Sequence, residues 1–399
     1  MHHKVSEKKL QYALYALIAI GVLLTGYALL SSGNPPLLIQ MVQIGNFNAG
    51  GAEATPSATP QVDKAKLVLT IITVPECRYC VDLKDLITRI KSAGDAQIIS
   101  EKTVSYKDAT VLMAKYGITK IPTIILSGET GKVSGLKSMW SQIGEEKEDG
   151  TLVLTKMRPV YYDTVKGDFV GKLKITRLVN LTCGEACTKA SVIQGNFETN
   201  TGIRFVEEQE REINSTQAKE FAVKYNITKI PAIIITGDVD AYNELGLKTA
   251  WLKVGTVESD GALVWRLINP PYQEYPSGKN KGFATLIGIE DPNCKECYNV
   301  GVHKSILANL GVYFDTEAYY NSTQPQAKAL IEKYNITLLP TVVVDGELKE
   351  YYPFTSLEQI WNQVGTAEKD GWNVYRNMTA LGSNVTYIVI ATNETKITQ

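Results

Sequence analysis

Six cysteines stand in three close pairs, and each pair occupies the same place in a repeated unit. The pairs are Cys77/Cys80, Cys183/Cys187 and Cys294/Cys297. Each is followed 45 to 48 residues later by a proline that closes a recurring phrase. The phrases are Tyr116-Gly-Ile-Thr-Lys-Ile-Pro122, Tyr225-Asn-Ile-Thr-Lys-Ile-Pro231 and Tyr334-Asn-Ile-Thr-Leu-Leu-Pro340, their prolines 109 residues apart. A second phrase also recurs: Trp140, Trp251 and Trp361 each precede a glycine (Gly144, Gly255, Gly365) and then an Asp-Gly pair. A period near 110 residues is too long for a solenoid unit and right for a whole domain. The chain therefore reads as three copies of one domain.

The 399 residues are 44% hydrophobic and 21% charged, with a net charge of -1 and no basic run. Nothing in that balance invites nucleic acid. Of three histidines, two lie at the extreme N-terminus, leaving His303 alone in the repeats. Histidine-based metal sites and acid–base catalysis thus lack material, and neither a metal nor a cofactor is expected.

Leu10–Leu30 contains no charged residue over 21 positions. As a helix it spans ~32 Å, matching a hydrocarbon core of ~30 Å. Lys4, Lys8 and Lys9 precede it, and the next charge after it is Glu53. The run reads as an uncleaved anchor with residues 1–9 in the cytoplasm and the remainder exported. Residues 31–64 are rich in Gly, Pro, Ser, Thr and Ala and read as a flexible linker. Export accords with paired cysteines, which persist as disulfides outside the cytosol. It also accords with eight Asn-x-Ser/Thr sequons, at Asn180, Asn214, Asn226, Asn321, Asn335, Asn377, Asn384 and Asn393. Asn226 and Asn335 take the slot of Gly117, so they read first as left-handed helix ends.

Within the first unit, Leu67–Val74 is an apolar, β-branched run expected to be a buried strand. A helix is expected from Cys77, with Val81, Leu83, Leu86, Ile87 and Ile90 on its apolar face. Ala96–Lys102 reads as a strand, Lys107–Tyr116 as a helix, and Pro122–Leu126 as a strand. A Gly-rich turn near Gly128–Gly131 leads to a short strand and the Trp140 helix. The order is βαβαββα, followed by an extra strand at Leu152–Thr155. The three tryptophans are expected to be buried on their own sheets. Lys172–Val179 and Phe283–Ile289 begin the second and third units. Asn384–Ala391 looks like one more such strand and is expected to pair with the third unit and close an edge.

This order, with a cysteine pair at a helix start and a later Ile-Pro, resembles the thioredoxin superfamily, including glutaredoxins and protein disulfide isomerases. The resemblance covers residues 65 to 380 in three copies. It implies an α/β fold of three tandem thioredoxin-fold domains, at 65–169, 170–279 and 280–399. It implies cis prolines at 122, 231 and 340, with the preceding residue pairing by backbone with a substrate strand. Ile121, Pro122, Leu339 and Pro340 are the candidate substrate-binding residues. There are departures. The thioredoxin Trp before the first cysteine is replaced by Glu76, Thr182 or Asn293. The buried acid six residues before it is replaced by Ile71, Arg177 or Gly288. Tyr79 before Cys80 is similar to the glutaredoxin Cys-Pro-Tyr-Cys, whose Gly-Gly phrase is missing.

Thiol exchange runs through a thiolate, which a helix N-terminus and nearby cations stabilise. Cys77 and Cys294 are the expected nucleophiles and Cys80 and Cys297 the resolving cysteines. Arg78 and Lys295 add positive charge beside them; Glu76 and Glu296 oppose it. Cys183 and Cys187 have one residue more between them and read as a structural disulfide. That spacing also resembles Sco-type copper chaperones, whose distal histidine the second unit lacks. The expected activity is thiol–disulfide exchange on exported proteins, with a redox partner of unknown kind. A disulfide-stapled scaffold for partners and a copper-handling role remain open alternatives.

Overall fold

The computed structural model describes residues 64–399. The expected anchor at 10–30 and the linker through residue 63 lie outside them. Among the described residues no helix is long and apolar enough to cross a membrane.

The first unit runs β1 (Ala65–Thr73), α1 (Lys84–Lys91), β2 (Ala96–Ser105), α2 (Thr110–Tyr116), β3 (Lys120–Ile121) and β4 (Thr123–Gly128). It continues α3 (Leu136–Ile143), β5 (Gly144–Glu146), β6 (Leu152–Leu154), β7 (Tyr161–Asp163) and β8 (Asp168–Val170). Five strands form one mixed sheet in the order β2-β1-β4-β6-β5, with β1 parallel to β2 and antiparallel to β4. Alternation along β1 divides its side chains between two faces. Leu67, Leu69 and Ile71 pack with Ile90 of α1 and Leu136 and Trp140 of α3. Ile72 and Val74 pack on the other face with Met113 and Tyr116 of α2. α2 stops at Gly117, whose φ of 65° is left-handed, and Asn226 and Asn335 do the same work at 47°.

Units two and three repeat this arrangement. Their first strands are Leu173–Val179 and Ala284–Glu290, each in a five-stranded sheet of the same order. The three tryptophans are buried, as expected, at 1%, 2% and 3% exposure. The chain is thus three similar α/β units in tandem.

One part of the expected order is corrected. No strand lies between the Gly128–Gly131 turn and the Trp140 helix; a short 3-10 turn, Thr130–Lys132, stands there. The hairpin β5–β6 comes after α3, and its second strand pairs with β4. The physical reason lies at Gly144, Gly255 and Gly365. A side chain at any of them would collide with the carbonyl of Val153, Val264 or Val374 and with the neighbouring tryptophan ring. The chain can therefore leave each tryptophan helix straight into a sheet strand.

Each unit also carries a second, three-stranded sheet that the sequence reading did not foresee. In unit one it has the order β3-β7-β8. In unit two Lys229–Ile230 pairs with Tyr272–Glu274, and in unit three Leu338–Leu339 pairs with Thr386–Val389. The expectation that 384–391 closes an edge of unit three holds. Its kinship is different, however. The register sets Tyr162, Gln273 and Ile388 opposite Ile121, Ile230 and Leu339, so the segment is a third copy of the hairpin and not a further first strand.

The exits of the first two hairpins are tied to the following unit. Gly171 donates its N–H to Asp238 at 2.8 Å and accepts from the Tyr242 phenol at 2.9 Å. Gly282 donates to Glu347 at 2.7 Å and accepts from the Tyr351 phenol.

Candidate functional site

All three cysteine pairs are disulfides, with Cα–Cα distances of 5.5, 5.8 and 5.4 Å. Cys77, Cys80, Cys294 and Cys297 are half-buried, whereas Cys183 and Cys187 are buried at 8% and 7% exposure. Cys77 packs against the cluster that holds Ile121, and Cys294 against the cluster that holds Leu339. In unit two one cavity is lined by Cys183, Cys187, Ile230 and Pro231 together. The fold therefore brings each pair to its proline, as the resemblance implies. The Ile121-Pro122, Ile230-Pro231 and Leu339-Pro340 bonds are all cis.

The cysteines do not open a helix, which corrects the sequence expectation. The first helical residues are Lys84 and Val302, while Cys77, Cys80, Cys294 and Cys297 lie in the preceding turn. Val81, expected inside the helix, instead donates its N–H to Val160 ahead of β7, at 3.0 Å. Asp82 then receives the N–H of Lys84 at 2.9 Å, just ahead of the helix. The favourable end of a helix dipole acts within the first turn, so it reaches these sulfurs weakly.

Side-chain charge is arranged more helpfully. The Glu76 carboxylate is bound by Lys107 at 2.5 Å. The Lys107 hydrogen bond holds its carboxyl below the usual carboxylate range. The charge that would oppose a Cys77 thiolate is thus partly offset. Arg78 lies 5.4 Å from the ring of its exposed neighbour Tyr79.

Unit three has a buried polar cluster where unit one has Val81. Tyr298, directly after Cys297, donates to the Pro340 carbonyl at 2.6 Å and contacts His303 Nε2 at 3.0 Å. Since the phenol hydrogen goes to Pro340, the ring nitrogen is the donor to the phenol oxygen. Burial pushes the Tyr298 phenol up and pulls His303 down to about 3, so the imidazole is neutral. His303 also packs on the Tyr375 ring, with centroids 4.2 Å apart. Tyr298 and His303 are site residues that the sequence reading missed; the lone histidine five positions after an aromatic was the available signal.

In unit two, Arg177 stands six residues before Cys183, where the resemblance implies a buried acid. It pairs with Glu208 at 3.0 Å and Glu210 at 3.2 Å, and bonds the buried Gln194. Among the described residues no group of three or more His, Cys, Asp or Glu is placed to hold a metal ion.

The most unusual feature is what occupies the edge beside each proline. The threonine of the repeated phrase gives its carbonyl to the hairpin: Thr164 N to Thr119 at 2.8 Å, Tyr275 N to Thr228 at 2.9 Å, Ile390 N to Thr337 at 2.9 Å. The residue after the second cysteine gives its N–H to the same hairpin: Val81 to Val160, Thr188 to Pro271, Tyr298 to Thr386, at 2.9 to 3.1 Å. The first strand of each hairpin thus lies between the proline segment and the cysteine turn. The candidate substrate-binding residues Ile121 and Leu339 are already paired, with Tyr162 and Ile388.

No family model and no curated protein matches the chain. Among solved structures it is similar to the N-terminal domain of alkylhydroperoxide reductase AhpF from Enterococcus faecalis, at 19% identity and a TM-score of 0.15. That match covers 44% of this chain and 83% of the other. Human ERp44 matches at 11% identity over 75% of this chain and 86% of its own, with a TM-score of 0.14. ERdj5 matches at 10% identity over 73% of this chain and 39% of its own, with a TM-score of 0.14.

Proposed function

We propose that this protein is a thiol–disulfide oxidoreductase built from three tandem thioredoxin-fold units. In this reading, Leu10–Leu30 anchors it in a membrane with the units on the extracytoplasmic side. The observation that carries the activity is the half-exposed Cys-x-x-Cys disulfide set against a cis-proline segment, in units one and three. Such a pair can take up and return two electrons without any cofactor. Cys77 and Cys294 are the nucleophiles, Cys80 and Cys297 the resolving partners. The export reading has the support of the uncharged run with lysines on one side only and of the sequons.

The deciding experiment measures each pair's reduction potential separately, together with the pH dependence of alkylation of reduced Cys77. A potential above about −300 mV and a thiol pKa below the ordinary ~8.5 are expected for a working pair. A pair that stays oxidised at lower potentials sinks the reading. For unit two the stapled role is the better one, because both its cysteines are buried. Protease shaving of intact cells tests the topology: residues 64–399 should be removed, and protection of them overturns it.

A further inference from the structure

We infer that the exchange partner of the Cys77–Cys80 and Cys294–Cys297 pairs is a low-molecular-weight thiol and not an extended polypeptide. The inference rests on the thiol–disulfide reading above and narrows its substrate.

A polypeptide that exchanges disulfides beside a proline segment adds itself as a strand, and needs free backbone groups on that edge. Here those groups are spent. The 119–121 segment is paired with β7, and the N–H of Val81 is bound to Val160. The same arrangement holds in unit three, through Leu338–Leu339 and Tyr298. The first hairpin is also fixed at its far end, where Gly171 is held by Asp238 and Tyr242 of unit two. Its body is packed as well: Tyr162 lies between Tyr106, tilted at 5.1 Å, and Phe169, edge-on at 5.3 Å. A substrate strand would have to break all of these contacts before making any. The four cysteines themselves remain partly exposed, so a molecule the size of a single thiol needs no such opening.

The chemistry balances with that partner alone. A small thiolate attacks one sulfur of the pair; the Cys77–Cys80 bond breaks as the mixed disulfide forms, and the departing cysteine thiolate takes a proton. A second small thiolate attacks the mixed disulfide, releasing a small disulfide and the second cysteine thiolate, which is protonated in turn. Two thiols are oxidised to one disulfide and the pair becomes a dithiol. The reverse sequence oxidises the pair.

The test treats the oxidised full chain with 2-mercaptoethanol or with a ten-residue peptide carrying one cysteine. Opening of Cys77–Cys80 is followed by alkylation and peptide mass spectrometry. The peptide should react at least roughly tenfold more slowly after correction for thiolate fraction. In Tyr162→Pro, which takes an N–H out of β7, the peptide should gain most of that factor while the small thiol keeps its rate. Thr164→Pro, which removes the N–H and the hydroxyl that both donate to the Thr119 carbonyl and leaves the Tyr162 ring in place, is the milder variant if Tyr162→Pro fails to fold. Equal rates for peptide and small thiol in the unaltered protein overturn this inference and leave the redox reading standing. If neither reagent opens the pair, the redox reading itself has failed.

Discussion

The phenol of Tyr225 donates a hydrogen bond to the Asp260 carboxylate at 3.0 Å. The same bond joins Tyr116 to Asp149 at 3.1 Å and Tyr334 to Asp370 at 3.0 Å. The preceding lysine, Lys115, Lys224 or Lys333, reaches the same carboxylate. Two phrases that recur some 35 residues apart in the sequence are therefore one clip in space.

Removing that clip should destabilise a unit without touching its disulfide. Tyr225→Phe leaves the ring buried and deletes one bond to a charged acceptor, worth about 1.5 kcal/mol. Chemical denaturation at neutral pH should show that loss. Lys224, first among its partners, holds the Asp260 carboxyl below its usual range. A lowered carboxyl contributes fully above its unfolded pKa and is lost as pH falls through the folded one. The difference between wild type and Tyr225→Phe should thus persist through pH 5 and shrink only in stronger acid.

Unit three should respond to pH in a higher window, through His303. Its folded pKa is pulled down to about 3 by burial, whereas an unfolded histidine titrates near ~6.5. Above that value the ring is neutral in both states and costs nothing. Below it the unfolded chain binds a proton that the folded unit refuses. Stability should therefore fall by up to about 1.4 kcal/mol per pH unit from pH 6.5 downward. Melting of unit three between pH 6.5 and 5 should show this slope, and His303→Gln should flatten it. A slope unchanged in His303→Gln would assign the effect elsewhere.

The fold was legible largely because its signals repeat. Cysteines, prolines, tryptophans and Asp-Gly turns recurring at nearly the same period marked three units, and the glycine-for-asparagine exchange at 117, 226 and 335 marked the helix ends. The buried first strand followed from the apolar, β-branched run at Leu67–Val74. The helix start did not, because Val81 and Leu83 fit an apolar helical stripe equally well when they pack from an irregular turn. What moved the start to Lys84 was a backbone bond to Val160, a partner far away in sequence. The hairpins were missed for a related reason. Val160–Asp163, Pro271–Glu274 and Thr386–Val389 have only one tyrosine in common to all three (Tyr161, Tyr272, Tyr387), and their pairing with the proline segment is carried by backbone groups far away in sequence. Only the third copy is apolar enough to have been read as a strand. The candidate cysteines were visible from spacing alone; their occupied edge was not.

The Glu76–Lys107 pair should tune the nucleophile of unit one. Lys107→Ala frees a carboxylate immediately before Cys77 and removes a cation, both of which disfavour the thiolate. Both groups are exposed, so water screens most of the effect. Alkylation of reduced Cys77 at fixed pH should slow by about twofold, a few tenths of a pKa unit. Lys107→Arg should restore the rate. An unchanged rate in Lys107→Ala would mean that the Glu76 charge does not reach the sulfur.

The division of labour between the cysteines can be read from what each variant traps. In Cys80→Ala, Cys77 has no partner, so the fully oxidised protein should carry a small thiol on Cys77 as a stable mixed disulfide. Intact mass after incubation with a small disulfide should rise by one adduct, lost again on reduction. Cys297→Ala should behave alike through Cys294, since both pairs share spacing, exposure and the paired proline edge. Cys187→Ala should differ. Cys183 is only 8% exposed and lies within a cavity also lined by Ile230 and Pro231, and its sulfur sits 3.6 Å from the Asn280 side chain of the hairpin. A thiol held there meets reagents slowly, so its adduct should form at least roughly tenfold more slowly than that of Cys77. Equal adduct rates at Cys77 and Cys183 would remove the ground for treating the second unit as a staple and the first as the working site.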